Sequence, residues 1–132
     1  MKNTLLALLG LVIIGSYAVY AAPAKPTPVE VWTGGDDALT QGLRSEVENK
    51  FKSSFDFVLS SGKKPGTLIV TIPTHVAWTQ QGTRTHVRYK VEFSSSDGIG
   101  IGKSSGSCWD DNFAECAAQI YAGAQKAARK LH

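Results

Sequence analysis

The sequence predicts an α+β two-layer sandwich, a mainly antiparallel sheet of four or five strands with two helices on one face. Three patterns predict it. Leu39, Leu43, Val47 and Phe51 recur at four-residue steps, as along one face of a helix. Leu68 to Trp78 and Thr85 to Phe93 alternate with period two, as strands covered on one side do. Phe113, Ala117, Ile120, Ala124, Ala127 and Leu131 then mark the buried stripe of a second, alanine-rich helix.

The chain begins differently. Lys2 precedes an apolar run, Leu5 to Ile14, and Val19-Tyr20-Ala21 fits a small-x-small cleavage pattern. Residues 1–21 are therefore expected to be a signal peptide, cut after Ala21 or, second, after Ala24. A retained anchor is the alternative, because the stretch to Ala22 approaches the ~20 residues that span a bilayer. Gly10, Gly15 and the Ala-rich exit favour cleavage. Residues 22–28, with three prolines, read as an extended linker. Residues 29–132 read as a single domain, the size expected of a chain of 132 residues. Apolar residues make up 42% and net charge is +3, with no run of five or more like charges, so neither disorder nor a nucleic-acid tail is indicated.

Within the domain, Val29 to Trp32 reads as a short edge strand, stopped by Thr33-Gly34-Gly35. Asp36 or Asp37 caps a helix running to about Ser53. Phe55, Phe57 and Leu59 alternate as a second strand, and Ser60 to Thr67 is an exposed loop. A two-residue Gln81-Gly82 turn sets Trp78 against Thr85, Val76 against Val87 and Ile72 against Val91, with His75 opposite Arg88 and Ala77 opposite His86. Pro73 bends or bulges this long strand. Ser96-Asp97-Gly98 closes a second hairpin and puts Ile99 and Ile101 on the face of Phe93. The Gly- and Ser-rich run to Ser107 leads to the last helix, about Asp110 to Lys130.

Cys108 and Cys116 are the two cysteines, and in an exported domain they are expected to pair. Both cannot sit in one helix. Eight residues would separate them by about 12 Å, beyond the ~7 Å a disulfide tolerates. Cys108 is therefore expected in the loop before the helix.

Ser105-Gly106-Ser107-Cys108-Trp109 resembles the Cys-Gly-Ser-Cys-Trp nucleophile segment of papain-like cysteine peptidases, with Ser105 where the first Cys would be. The family's His lies far downstream, and here only His132 follows. An arrangement with His75 or His86 as base is similar to permuted relatives of that superfamily. Asp110 and Asp111 oppose a thiolate, and pairing with Cys116 would remove the nucleophile. No catalytic residue, metal site or cofactor is therefore expected.

Arg84, His86, Arg88 and Lys90 alternate along one strand face, with His75 beside them. They form the candidate binding surface for an anionic envelope component or an acidic protein face. The paired acids Asp36-Asp37 and Asp110-Asp111 fit helix capping, and Trp32, Trp78 and Trp109 fit core or rim.

From Asp37 to Arg129, the order of Leu-striped helix, long paired strands and Ala-rich helix is similar in outline to the N-terminal domain of the TolB translocation protein and to LptE-type envelope accessory proteins. That likeness implies binding rather than turnover, in a Gram-negative periplasm. The expected function is an exported, non-enzymatic accessory protein, with no nucleic-acid partner and no membrane span after cleavage. The alternatives are a secreted inhibitor or immunity-type protein acting through Ser60 to Thr67 or the Gln81-Gly82 turn, and a thiol hydrolase using Cys108.

Overall fold

The computed structural model describes residues 25–131. The expected signal peptide and residues 22–24 of the expected linker lie outside the described residues. In chain order the elements are β1 (Thr27–Thr33), α1 (Ala38–Lys52), β2 (Phe57–Leu59), β3 (Leu68–Ile72), β4 (Ala77–Gln81), β5 (Arg84–Ser95), β6 (Gly100–Trp109) and α2 (Phe113–Ala128), closed by a 3-10 turn at Arg129–Leu131. The predicted α+β sandwich is the observed class.

The sheet is mixed. β1 pairs parallel with both β2 and β3, while β3, β4 and β6 each pair antiparallel with β5. β6 runs along one side of β5, so β3 and β4 share the other. β1 was expected at an edge. It begins at Thr27, inside the expected linker, and lies between β2 and β3. The helix–strand crossover through α1 makes this placement available, because parallel neighbours need such a connection.

α1 starts where Asp37 caps it, accepting from the Thr40 N–H at 3.2 Å. Leu43, Val47 and Phe51 are buried along its inner face. Phe57, at the start of β2, meets Phe51 edge-on at 5.0 Å between ring centroids, and Tyr121 of α2 completes the cluster at 5.5 Å from Phe57. Phe55 falls outside β2 and is exposed. Val29, Val31, Leu68, Val70, Ile72, Val87, Tyr89, Val91 and Phe93 form the sheet's share of one core with both helices. β5 shows the expected sidedness, since Arg88, Lys90 and Glu92 are exposed between those buried residues.

The expected Leu68–Trp78 strand is two strands. β3 pairs as Ile69↔Ser94, Val70↔Phe93 and Thr71↔Glu92, the anticipated register. β4 is displaced by two: Trp78 faces Val87, Ala77 faces Arg88 and Thr79 faces His86. His75 therefore does not face Arg88, nor Ala77 His86, and the turn is Gly82-Thr83 rather than Gln81-Gly82. The cause lies at Pro73, which cannot donate to a ladder. Pro73, Thr74 and His75 bulge out opposite the single residue Lys90. Gly34 and Gly35 make room for the bulge, since a Cβ on Gly34 would overlap the Pro73 carbonyl and one on Gly35 would lie 2.8 Å from His75 Cα.

The second hairpin turns at Ser96-Asp97-Gly98 as expected, with Gly98 at φ +85°. Ile101 packs against the core, but Ile99 is exposed and does not join Phe93. The Gly/Ser run expected to lead into the last helix is strand β6, paired with β5 from Gly100 to Trp109 with a register shift at Phe93/Ser94. Its inward residues are small because α2 lies directly over them. A Cβ on Gly106 would collide with Gln119 and the Tyr89 hydroxyl, and one on Gly123 of α2 would lie 2.9 Å from the Phe93 ring. Cys108 accordingly sits on β6 rather than in a loop, and its disulfide to Cys116 joins the end of the strand to the first turn of α2, with Cα atoms 5.6 Å apart.

Candidate functional site

The helices leave one sheet face uncovered. Arg84, His86, Arg88 and Lys90 project from it by strand alternation, because Val87, Tyr89, Val91 and Phe93 must face the helices. The five expected site residues separate into two groups there.

Arg84 and His86 belong to the far end. The Arg84 guanidinium lies 4.2 Å from the Trp109 ring centroid, and its Nη2 is 3.0 Å from Asp111 Oδ1. His86 meets the same indole edge-on at 5.0 Å. Asp110 accepts from the Thr85 N–H at 3.1 Å. The acid pair expected to cap the last helix thus braces β5, and Asn112 takes the cap position without a side-chain hydrogen bond. The charge of Arg84 is already paired.

His75, Arg88 and Lys90 come together around a cleft of about 680 Å³ at the β3–β4 bulge. Thr74, Ser105 and Ser107 add hydroxyls to its wall, and among the described residues no carboxylate lines it. One Arg88 N–H is donated to Thr79 Oγ1 at 3.2 Å, which orients the guanidinium across the sheet. The bulge carrying His75 is held by a relay from α1. The buried Thr40 hydroxyl donates to Asp37 Oδ1 at 2.8 Å and accepts from the Val76 N–H at 2.9 Å. The Asp37 carboxyl is held below its ordinary range, first by that Thr40 hydroxyl, with backbone N–H groups and the nearby His75 helping and burial opposing.

The backbone adds a further feature. Gln119 Nε2 donates to the Ser107 carbonyl at 3.2 Å, so that carbonyl points away from β5. In an antiparallel pair the residue opposite then also turns its backbone groups outward. Arg88 faces Ser107, so Arg88, Lys90 and Glu92 present N–H and C=O towards β3 and β4. Arg88 meets Ala77 and Glu92 meets Thr71, but Lys90 has no backbone partner on that side among the described residues.

Sequence reasoning missed Thr74, Ser105 and Ser107. The signal was present in the alternation of Gly102, Ser104, Gly106 and Cys108 with Lys103, Ser105 and Ser107, a period of two written in small residues.

Two alternative sites change character. Both sulfurs are committed to the disulfide, and there is no free cysteine among the described residues. The papain-like segment therefore carries no thiol in this form. The Ser60 to Thr67 loop is tied down, with the Lys63 N–H donating to Glu30 at 2.9 Å and its ammonium 5.0 Å from the Trp32 ring centroid. Among the described residues no group of three or more His, Cys, Asp or Glu could hold a metal ion. No described helix is long and apolar enough to cross a membrane.

No family model matches the chain, and no curated protein matches it significantly. Solved structures do. A dodecamer of a PelC variant from Paraburkholderia phytofirmans is 14% identical, with 82% of this chain and 90% of that one covered and a TM-score of 0.52. A second PelC dodecamer from that organism is 16% identical, with 76% and 89% covered and a TM-score of 0.51. A minor lipoprotein from Acinetobacter baumannii is 13% identical, with 83% and 92% covered, at a TM-score of 0.44. These findings leave the TolB and LptE likeness an expectation. What the two PelC structures share with this chain is its fold.

Proposed function

We propose that this is an exported, non-enzymatic binding or accessory protein of the cell envelope, which captures an anionic component on the helix-free face of its sheet. The cleft at the β3–β4 bulge carries the reading. Two cations, a histidine and three hydroxyls converge there, with no carboxylate in the wall among the described residues. The disulfide supports export, since such bonds persist in oxidising compartments.

Binding of the purified protein to acidic glycan or anionic lipid, measured across a salt series, tests this. Affinity should fall as ionic strength rises. Arg88→Ala with Lys90→Ala should weaken binding about tenfold or more, as loss of hydrogen bonds to a charged group does. Arg84→Ala should change affinity by less than about twofold, because that guanidinium is already paired. Binding that survives the double change removes the cleft from the mechanism.

A second copy of the chain is the other partner that an observation favours. The two PelC structures are dodecamers, and β6 offers an outer edge at Lys103 and Ser105 on which another chain can pair. Light scattering on the purified protein decides this. A mass above that of one chain supports assembly, and a monomer at all concentrations refutes it.

A further inference from the structure

We infer that the free edge of β6 takes a short extended peptide in which an apolar residue is followed by two acidic ones. The groove beside that edge shares no residue with the cleft at the bulge. β6 pairs only with β5, so its other side is open. Side chains of α2 close both ends of the opening. Gln119 Nε2 donates to the Ser107 carbonyl at 3.2 Å, and Lys130 Nζ donates to the Ile101 carbonyl at 3.2 Å. Backbone groups turn the same way at alternate residues of a strand, so Lys103 and Ser105 also turn theirs away from β5. Among the described residues nothing meets those two N–H and two C=O groups. An extended peptide adds to an edge of this kind as a further strand.

The groove between this edge and α2, about 420 Å³ in volume, sets the partner's chemistry. Its floor is apolar, with the Phe93 ring against Gly123 and with Ala122 alongside. Lys103, Lys126 and Lys130 line it, and among the described residues no carboxylate does. An antiparallel partner would exchange both hydrogen bonds with Ser105 through its first residue and with Lys103 through its third. Residues directly opposite each other share a face of the sheet, so the third side chain stands beside Lys103 on the helix-free face. The second and fourth side chains point towards α2, opposite Ser104 and Gly102. Gly123 lies against Ser104, so the second position has room for an apolar side chain. The fourth position meets Lys126 and Lys130. Acids at the third and fourth positions answer both sets of cations. A second copy of the chain does not, because β2, β4 and β6 are the strands with a free edge and none contains an acid.

The probe is acetyl-Thr-Val-Glu-Glu-Thr-amide, titrated into the purified protein and followed by ¹⁵N–¹H spectroscopy. The Lys103 and Ser105 amides should shift and gain protection from solvent exchange. The lysine counterpart, acetyl-Thr-Val-Lys-Lys-Thr-amide, should bind at least about tenfold more weakly. Lys126 is exposed on α2, so Lys126→Glu keeps the fold and should weaken the acidic peptide while tightening the lysine one. N-methylation of the third peptide residue removes a donor aimed at β6 and should weaken binding about tenfold or more. The second residue's amide points away from β6, so methylation there should change affinity by less than about threefold.

If neither amide shifts at millimolar peptide, or if the acidic and lysine peptides bind alike, the inference is wrong. If both methylated peptides bind like the parent, no strand is added and it is equally wrong. If the Lys103 and Ser105 amides are already protected in the free protein, and its mass exceeds one chain, a second copy holds the edge and the inference is overturned. Loss of peptide binding in the Arg88→Ala/Lys90→Ala protein would move the peptide into the cleft, with the same result.

Discussion

Thr40 has no exposed surface, and its hydroxyl joins the first turn of α1 to the bulge that shapes the cleft. Thr40→Val keeps the shape and removes that link. The Val76 N–H then stays buried without an acceptor, which costs about 1–3 kcal/mol, and denaturant unfolding should show the loss. An unchanged midpoint would mean that the bulge holds itself. Asp37 was legible as a cap, because an acid before an apolar stripe has a local meaning. Thr40 was not, because its acceptor role depends on a residue separated from it by 36 positions. The lowered Asp37 pKa fixes a sign. Its contribution is present above the unfolded value of 3.8 and is lost as pH falls through the folded value.

Tyr89 acts at the opposite end of the pH scale. Burial pushes its pKa from 10.0 up to about 12, and its hydroxyl donates to Gln119 Oε1 at 2.9 Å. The folded state therefore holds the proton longer than the unfolded chain does. Stability from this group is complete below about pH 10 and drains away between about pH 10 and 12. Denaturation midpoints taken through that window should fall, and fall less in Tyr89→Phe. Parallel curves for the two proteins would contradict the assignment.

At the scale of the element, β6 and α2 act as one unit. The Cys108–Cys116 bond closes a short loop between them, and reducing it, or replacing both cysteines by alanine, should lower unfolding free energy by about 2–3 kcal/mol on the chain-entropy account. Gly106→Ala should cost about 1–3 kcal/mol, because Gln119 and Tyr89 leave no space for the methyl group. Calorimetric unfolding reads both, and a Gly106→Ala protein as stable as the parent would show that α2 can lift away. β6 was hard to read because Gly and Ser are depleted from strands. Here Gly102, Ser104 and Gly106 are small enough to lie beneath the helix. The split of β3 from β4 was hidden for a different reason. Three residues opposite one leave two extra, and an even displacement preserves alternation. Val70, Ile72, Val76 and Trp78 keep their phase through the break, so periodicity reported one strand where there are two.

For the whole molecule, sidedness was the most legible property. A polar residue between every two apolar ones on β5 means one roofed face and one wet face, whatever the strand order. The order itself was not legible, because parallel partners lie far apart in sequence and leave no turn between them. The clustering of His75 with Arg88 and Lys90, and the departure of Arg84 and His86 towards Trp109, followed from the two-residue displacement and from Asp111.

The interior position of β1 decides where this chain can be cut. Its residues come first in the described chain, yet both of its neighbours are made later, and β2 has no other strand partner among the described residues. A protease or cloning boundary placed after Thr33 would not trim a tail. It would pull the middle plank from the floor and set β2 adrift.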